Sequence, residues 1–366
     1  MTHDSTRMNV ALVHDWLNQI GGAENVLTEL LALFPTSPLF TAMYWRRKMP
    51  PYFEQRDIRT SFMERLPGIM TRHQFYLPVY PFAFERFDLR GYDVVISNKS
   101  GFCHGIVPPP DTRHFCYCLT PTRYLWNYHD YVEREGLGPL ARWVLPLILP
   151  FLRQWDFAAA QRVDHFAAIS SAVQQRIEQI YRRDSVIIYP PVDTDRFIPQ
   201  DDAEDYFLIV SRLIPYKRID LAVEACNRMR LPLWIAGDGR DRPRLEKLAG
   251  ETVRFLGRVP DSELPNLYAR CRAFIFPGEE DFGISPVEAQ AAGRPVVAYG
   301  AGGALDTVIA GQTGVLFHSP TVVALAEALE TLNDLSFDPA FIRKHASQFD
   351  NRAFRESLLN WIETTG

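Results

Sequence analysis

The 366-residue chain lacks a paired-cysteine pattern, a strong charge of either sign and a long apolar run, and each lack removes a class of protein. Its cysteines, Cys103, Cys116, Cys118, Cys226 and Cys271, are odd in number and show no C-x-x-C spacing. That argues against a disulfide framework and a structural zinc site, and for a reducing compartment. The formal net charge is only −5, so a general nucleic-acid partner is not expected. The charge-free run from Trp143 to Leu152 carries Pro146 and Pro150, which argue against a regular amphipathic helix there, and it falls short of the roughly 20 apolar residues that cross a bilayer. The opening MTHDSTRMNV has no apolar core of a secretory leader, and a cytoplasmic protein is the expectation. No fixed-period repeat or low-complexity tract is present, which excludes solenoids and propellers.

What is there is ordinary globular composition, 47% hydrophobic and 23% charged, in a chain long enough for two full cores. Short β-rich runs recur with helical stretches between them: NVALV at 9–13, DVVIS at 93–97, HFCYC at 114–118 and DHFAAIS at 164–170. After Pro190 and Pro191 the pattern restarts with YFLIVS, LPLWIAG, VRFLG, AFIFP and PVVAY. This is the grammar of parallel α/β sheets, and it predicts two doubly wound domains, 1–195 and 196–351. The first 200 residues hold 21 basic and 20 acidic side chains, the rest 18 and 24. A near-neutral first half tolerates an anionic membrane surface where an acidic second half does not. Arg46-Arg47-Lys48 reads as a solvated loop. The aromatic stretch between Met49 and Phe87 reads as core cover rather than as a ligand groove.

Three segments point to anion chemistry. A strand running into Gly21-Gly22 and then a helix is a turn where backbone can approach a ligand and free N–H groups can meet a phosphate, although G-x-G-x-x-G spacing is missing and a plain strand-to-helix turn fits as well. In SRLIPYKRIDLAVEA, Arg212 and Lys217 follow a strand, at the usual ligand edge of an open sheet; a planar fork and a point charge together suit a diphosphate. In GEEDFGISPVEAQAAGRPVVAY, Ser285, Pro286 and Glu288 are expected at N-cap, N1 and N3 of a helix, as a capping box. Phe282, Gly283, Ile284 and Ser285 then offer amides to an anion, with Glu280 in the preceding loop.

Together with IAGDGRDRPRLEKLA (235–249) and FLGRVPDSELPNLYARC (255–271), these segments resemble the retaining glycosyltransferases of family 4, most strongly from Leu208 to Val315. The resemblance implies a GT-B fold, two Rossmann-like domains facing across a cleft, with a last helix (352–366) returning to the first domain. It implies that Arg212 and Lys217 neutralise a donor diphosphate, Glu288 takes the ribose hydroxyls, Glu280 sits by the transferred sugar and Arg258 and Val259 meet the nucleobase. By the same resemblance, Gly21 and Gly22 match the first-domain loop that closes over the phosphates. No metal or other cofactor is implied. The segments YCLTPTRYLWNYHDY and RVDHFAAISSAV are similar to a branch of mannosyltransferases of cell-surface polysaccharide assembly. That implies GDP-mannose as donor and a saccharide acceptor, polyprenyl-linked, reached by peripheral contact at the inner membrane face.

Two departures stand out. Leu119 occupies the position where that branch carries a sugar-lining histidine, with His129 ten residues on, and Asp306 stands where the family mostly has glutamate. These leave open an inactive sugar-nucleotide binder; a GT-B epimerase stays open because it would share the scaffold, and a UDP-sugar-dependent transferase because spacing identifies no base-reading side chain. A nicotinamide enzyme is disfavoured because Gly237-Asp238-Gly239 holds only half of its fingerprint.

Overall fold

A computed structural model describes residues 8–127 and 139–365, with side chains from 146 onward in the second stretch. The chain forms two compact units, Met1–Tyr189 with Arg355–Gly366, and Pro190–Phe354.

The first unit is built on seven strands, β1 (Val10–His14), β2 (Leu39–Thr41), β3 (Ile58–Thr60), β4 (Val94–Lys99), β5 (Arg113–Cys118), β6 (His165–Ala168) and β7 (Val186–Ile187). All neighbours pair in parallel in the order β3-β2-β1-β4-β5-β6-β7. β1 and β4 are buried along their whole length, as strands covered on both faces must be. The stretch between Met49 and Phe87 supplies Met63, Ile69, Leu77, Tyr80 and Phe84 to the core, as its composition suggested, and Phe62, Phe75 and Phe82 to the surface.

Pro146 and Pro150 do not interrupt a helix that runs from Pro139 to Gln161, contrary to the expectation that they prevent a regular one. A proline i frees the carbonyl of residue i−4. Both prolines are exposed and four apart, so the freed carbonyls lie along a stripe that solvent can reach. Leu149 and Leu152 enter the core, whereas Leu147 is 81% exposed and Phe151 53% exposed. The last helix, Asn351–Thr364, brings Trp361 edge-on to Phe115 at 4.9 Å and Arg355 to Glu29 at 2.6 Å.

The second unit carries six parallel strands, β8 (Phe207–Val210), β9 (Leu233–Ala236), β10 (Val253–Gly257), β11 (Ala273–Phe276), β12 (Val296–Tyr299) and β13 (Gly314–Phe317), in the order β10-β9-β8-β11-β12-β13. Phe207, Ile209, Leu233, Ile235, Ile275 and Val297 face the helices 219–229 and 322–334 in one core. Among the described residues no helix is long and apolar enough to cross a membrane.

Candidate functional site

In the second sheet the chain steps from β8 to β9 on one side and returns to β11 on the other, so the topological switch point lies between β8 and β11. Ligands of open α/β sheets bind outside the carboxyl ends of the strands at such a point. The loops leaving β8 and β11 are the ones that hold Arg212, Lys217 and Glu280.

Lys217 ends a short turn, Pro215–Lys217, and its ammonium pairs with the Glu280 carboxylate; both side chains are 18% exposed. Arg212 stands exposed at the start of the same loop. The Gly303 N–H donates to the Glu280 carbonyl at 2.8 Å, which ties the β11 loop to the one after β12. Asp306 lies in the first turn of the short helix Ala304–Thr307.

The helix after β11 runs from Ile284 to Ala291, with Gly283 as N-cap at φ 97° and no side-chain cap. The expected capping box is therefore absent: Ser285 is the second helical residue and Glu288 the fifth. A left-handed glycine turns the chain into the helix earlier than a serine cap would, and Pro286 still falls in the first turn, where its missing N–H leaves no bond unmade. Glu288 turns instead to Tyr268, whose hydroxyl donates to its Oε2 at 2.7 Å. Burial holds the Glu288 carboxyl above its ordinary range, opposed by this bond and by Arg196 nearby. The amides of Ile284 and Ser285 are helix N-terminal donors, and the dipole there favours an anion. Phe282 is buried, its ring packed against Phe349 at 5.6 Å, so only its backbone can serve a ligand.

Exposed Arg258 and half-buried Val259 follow β10 at the same edge of the sheet. The bond from the Gly237 N–H to the Gly257 carbonyl, at 2.7 Å, joins their loop to the one after β9. Arg212, Lys217, Glu280, the 282–285 backbone, Glu288, Arg258 and Val259 thus share one edge of one sheet. Cations beside free amides suit a diphosphate, and carboxylates suit hydroxyls. Tyr268 escaped the sequence reading, because nothing in LPNLYARC distinguishes a buried hydroxyl donor from a core aromatic.

The first unit has its own switch point, between β1 and β4. Gly21 is the N-cap of the helix Gly22–Leu33 after β1. Beneath it His14 Nε2 faces Glu24 Oε1 at 3.5 Å, and the Asn98 amide donates to the Ala23 carbonyl at 2.8 Å. The loop after β4 is pinned by Asp15, whose carboxylate accepts from the N–H groups of Ser100, Gly101, Phe102 and Cys103 and from the Ser100 hydroxyl. Leu119, just past β5, is half-buried and donates its N–H to the Lys99 carbonyl. His129 lies outside the described residues.

Paired parallel sheets with a charged switch point define a two-domain, Rossmann-like GT-B protein. Residues 20–196 match the family described as Glycosyltransferase Family 4, and residues 192–354 the one described as Glycosyl transferases group 1. Between them they span most of the sequence, and the chain belongs to the family 4 glycosyltransferases.

Among curated relatives, a GDP-mannose-dependent alpha-(1-6)-phosphatidylinositol monomannoside mannosyltransferase of Mycolicibacterium smegmatis is 36% identical over 180 residues, 41% of this chain and 46% of that protein. A D-inositol 3-phosphate glycosyltransferase of Geodermatophilus obscurus is 32% identical over 233 residues, 55% of this chain and 49% of that one. The chain thus spans about half the length of these relatives. Anabaena HepE in complex with UDP has the same fold, with a TM-score of 0.72 at 18% identity over 98% of this chain and 100% of that one. Sucrose-phosphate synthase from Thermosynechococcus elongatus also superposes at 0.72, with 17% identity over 96% and 98% of the two chains.

Proposed function

We propose that the chain is a retaining transferase that moves mannose from GDP-mannose to a polyprenyl-linked saccharide at the cytoplasmic membrane face, in surface polysaccharide assembly. The observation that carries this reading is the Lys217–Glu280 pair at the switch point, with helix N-terminal amides following it. The GDP-mannose and lipid-borne saccharide named for the mycobacterial relative support the choice of donor and acceptor.

Arg212 and Lys217 neutralise the donor diphosphate, and the amides of 283–285 share its charge. Charge builds on the diphosphate as the bond to the sugar breaks, and fixed cations and dipoles stabilise it without the reorganisation water would need. The acceptor hydroxyl bonds to the anomeric carbon on the face the diphosphate leaves, and its proton passes to the departing phosphate oxygen. This route requires no histidine at 119 and no metal. Glu280 aligns the sugar hydroxyls, Glu288 binds the ribose, and Arg258 and Val259 meet the base.

Calorimetric titration with GDP-mannose, UDP-glucose and ADP-glucose tests the donor. Tightest binding of GDP-mannose is expected, and tighter binding of the UDP-sugar overturns the mannosyl reading. Incubation with donor alone separates a transferase from an epimerase: an epimer in the product mixture rejects acceptor-dependent transfer.

A further inference from the structure

Tyr268 is a fully buried side chain of the second unit whose hydroxyl reaches toward its site. It lies on the helix Leu264–Arg270, fully buried, with Phe197 edge-on at 5.3 Å and Phe274 at 5.5 Å, so its ring has one position. Its hydroxyl donates to Glu288 Oε2 at 2.7 Å and is itself engaged by the Ser285 side chain. Burial next to a carboxylate pushes its ionisation well above the ordinary range, so it keeps the proton it donates.

We infer that Tyr268 is a positioning residue, which fixes the carboxylate plane of Glu288 so that the remaining lone pairs meet a vicinal diol of the bound nucleotide. The inference rests on the reading of Glu288 as the ribose ligand. A carboxylate has about four acceptor sites, two per oxygen. One donor from a rigid ring locks the side-chain torsion and leaves Oε1 wholly available. Ordering is thereby completed before the ligand arrives, and a preorganised acceptor binds more tightly than one that must be ordered on contact.

The charged groups that face Glu288 are Arg196, which favours its ionised form, and Asp261, which opposes it. Tyr268 acts in the same direction as Arg196. Removal of the phenol oxygen therefore raises the pH at which Glu288 protonates.

The test titrates GDP and UDP, each beside its 2′-deoxy form, into the full-length protein and the variants Tyr268→Phe and Glu288→Gln. Phenylalanine keeps the ring contacts, and thermal unfolding monitors the fold. The unsubstituted protein is expected to favour the ribonucleotide. Glu288→Gln should abolish that preference, and Tyr268→Phe should weaken ribonucleotide binding about tenfold, as for one hydrogen bond to a charged group, with little change for the deoxy form. The acid limb of ribonucleotide binding should also move to higher pH in Tyr268→Phe. A merely structural role would weaken all ligands alike and overturn the inference. If Glu288→Gln keeps the ribose preference, or neither nucleotide binds, the ribose reading fails and the inference with it. If Glu288→Gln loses the preference and Tyr268→Phe keeps it, only the role of Tyr268 falls.

Discussion

Gly278 and Lys217 stand backbone to backbone: a Cβ on Gly278 would lie 2.7 Å from the Lys217 carbonyl oxygen and 2.8 Å from its Cα. Neither atom is the end of a flexible side chain, so a methyl group there moves the β8 loop itself. Gly278→Ala should cost about 1–3 kcal/mol by overpacking and should lower donor affinity by displacing the ammonium that pairs with Glu280. Urea unfolding and calorimetric titration of the donor read the two effects. Full donor affinity in a folded Gly278→Ala protein would show that the loop tolerates the shift.

Glu280→Gln should keep donor affinity nearly intact while turnover falls on the order of a hundredfold or more, because the carboxylate acts at the transferred sugar. Lys217→Ala should lose both, since charge on the diphosphate is present in ground and transition states alike. Single-turnover kinetics with separately measured donor binding distinguishes them. Wild-type turnover in Glu280→Gln removes that carboxylate from the site.

How far the sequence carries the site depends on whether a residue's role is local. Most strands of four residues or more announce themselves as apolar runs, but Gly314–Phe317, which opens on a glycine, does not, and Leu39–Thr41, Ile58–Thr60 and Val186–Ile187 are too short to show a period. Lys217 and Glu280 were legible because each follows a strand at the ligand edge. Glu288 was legible as a carboxylate in a helix start, but its partner was not: the Ser285 spacing favours a local cap, and the actual donor, Tyr268, is twenty positions away. The helix through Pro146 and Pro150 was missed for a similar reason, since local rules do not register where the freed carbonyls face.

Acid should destabilise the first unit through its buried imidazoles. His114 is fully buried beside Ser97, which lies 2.9 Å from its Nε2, and burial lowers its pKa from 6.5 to about 3. Burial likewise brings His73, against Trp16, to about 4. The folded state keeps both neutral while the unfolded chain binds protons below its own pKa. Their stabilisation is thus complete above pH 6.5 and falls as the pH drops toward the folded values, by about 1.4 kcal/mol per pH unit for each group. His114→Gln keeps a partner for Ser97 and removes one titration, so its urea midpoints should fall less steeply with acid than those of the unsubstituted protein. Parallel slopes would assign the acid sensitivity to other groups.

The exposed stripe of the helix Pro139–Gln161 should carry the chain to a bilayer. Pro146, Leu147, Pro150, Phe151, Gln154, Phe157 and Ala158 are all exposed and fall within one arc of the helix, and only Gln154 among them is polar. Water gains nothing from such a face, and insertion into a headgroup layer returns about 25 cal/mol per Å² of apolar surface removed from solvent. Phe75, 73% exposed, and the exposed Arg72 three positions before it add an apolar and a cationic contact in the same unit. Sedimentation with vesicles of neutral lipid, and of the same lipid with an anionic fraction, should pellet the protein in both cases and more fully in the second. Leu147→Glu should abolish pelleting without altering the unfolding midpoint, because an 81% exposed side chain contributes little to the fold. Protein that stays in the supernatant with both vesicle types, or a Leu147→Glu variant that still pellets, would mean that this face meets no membrane.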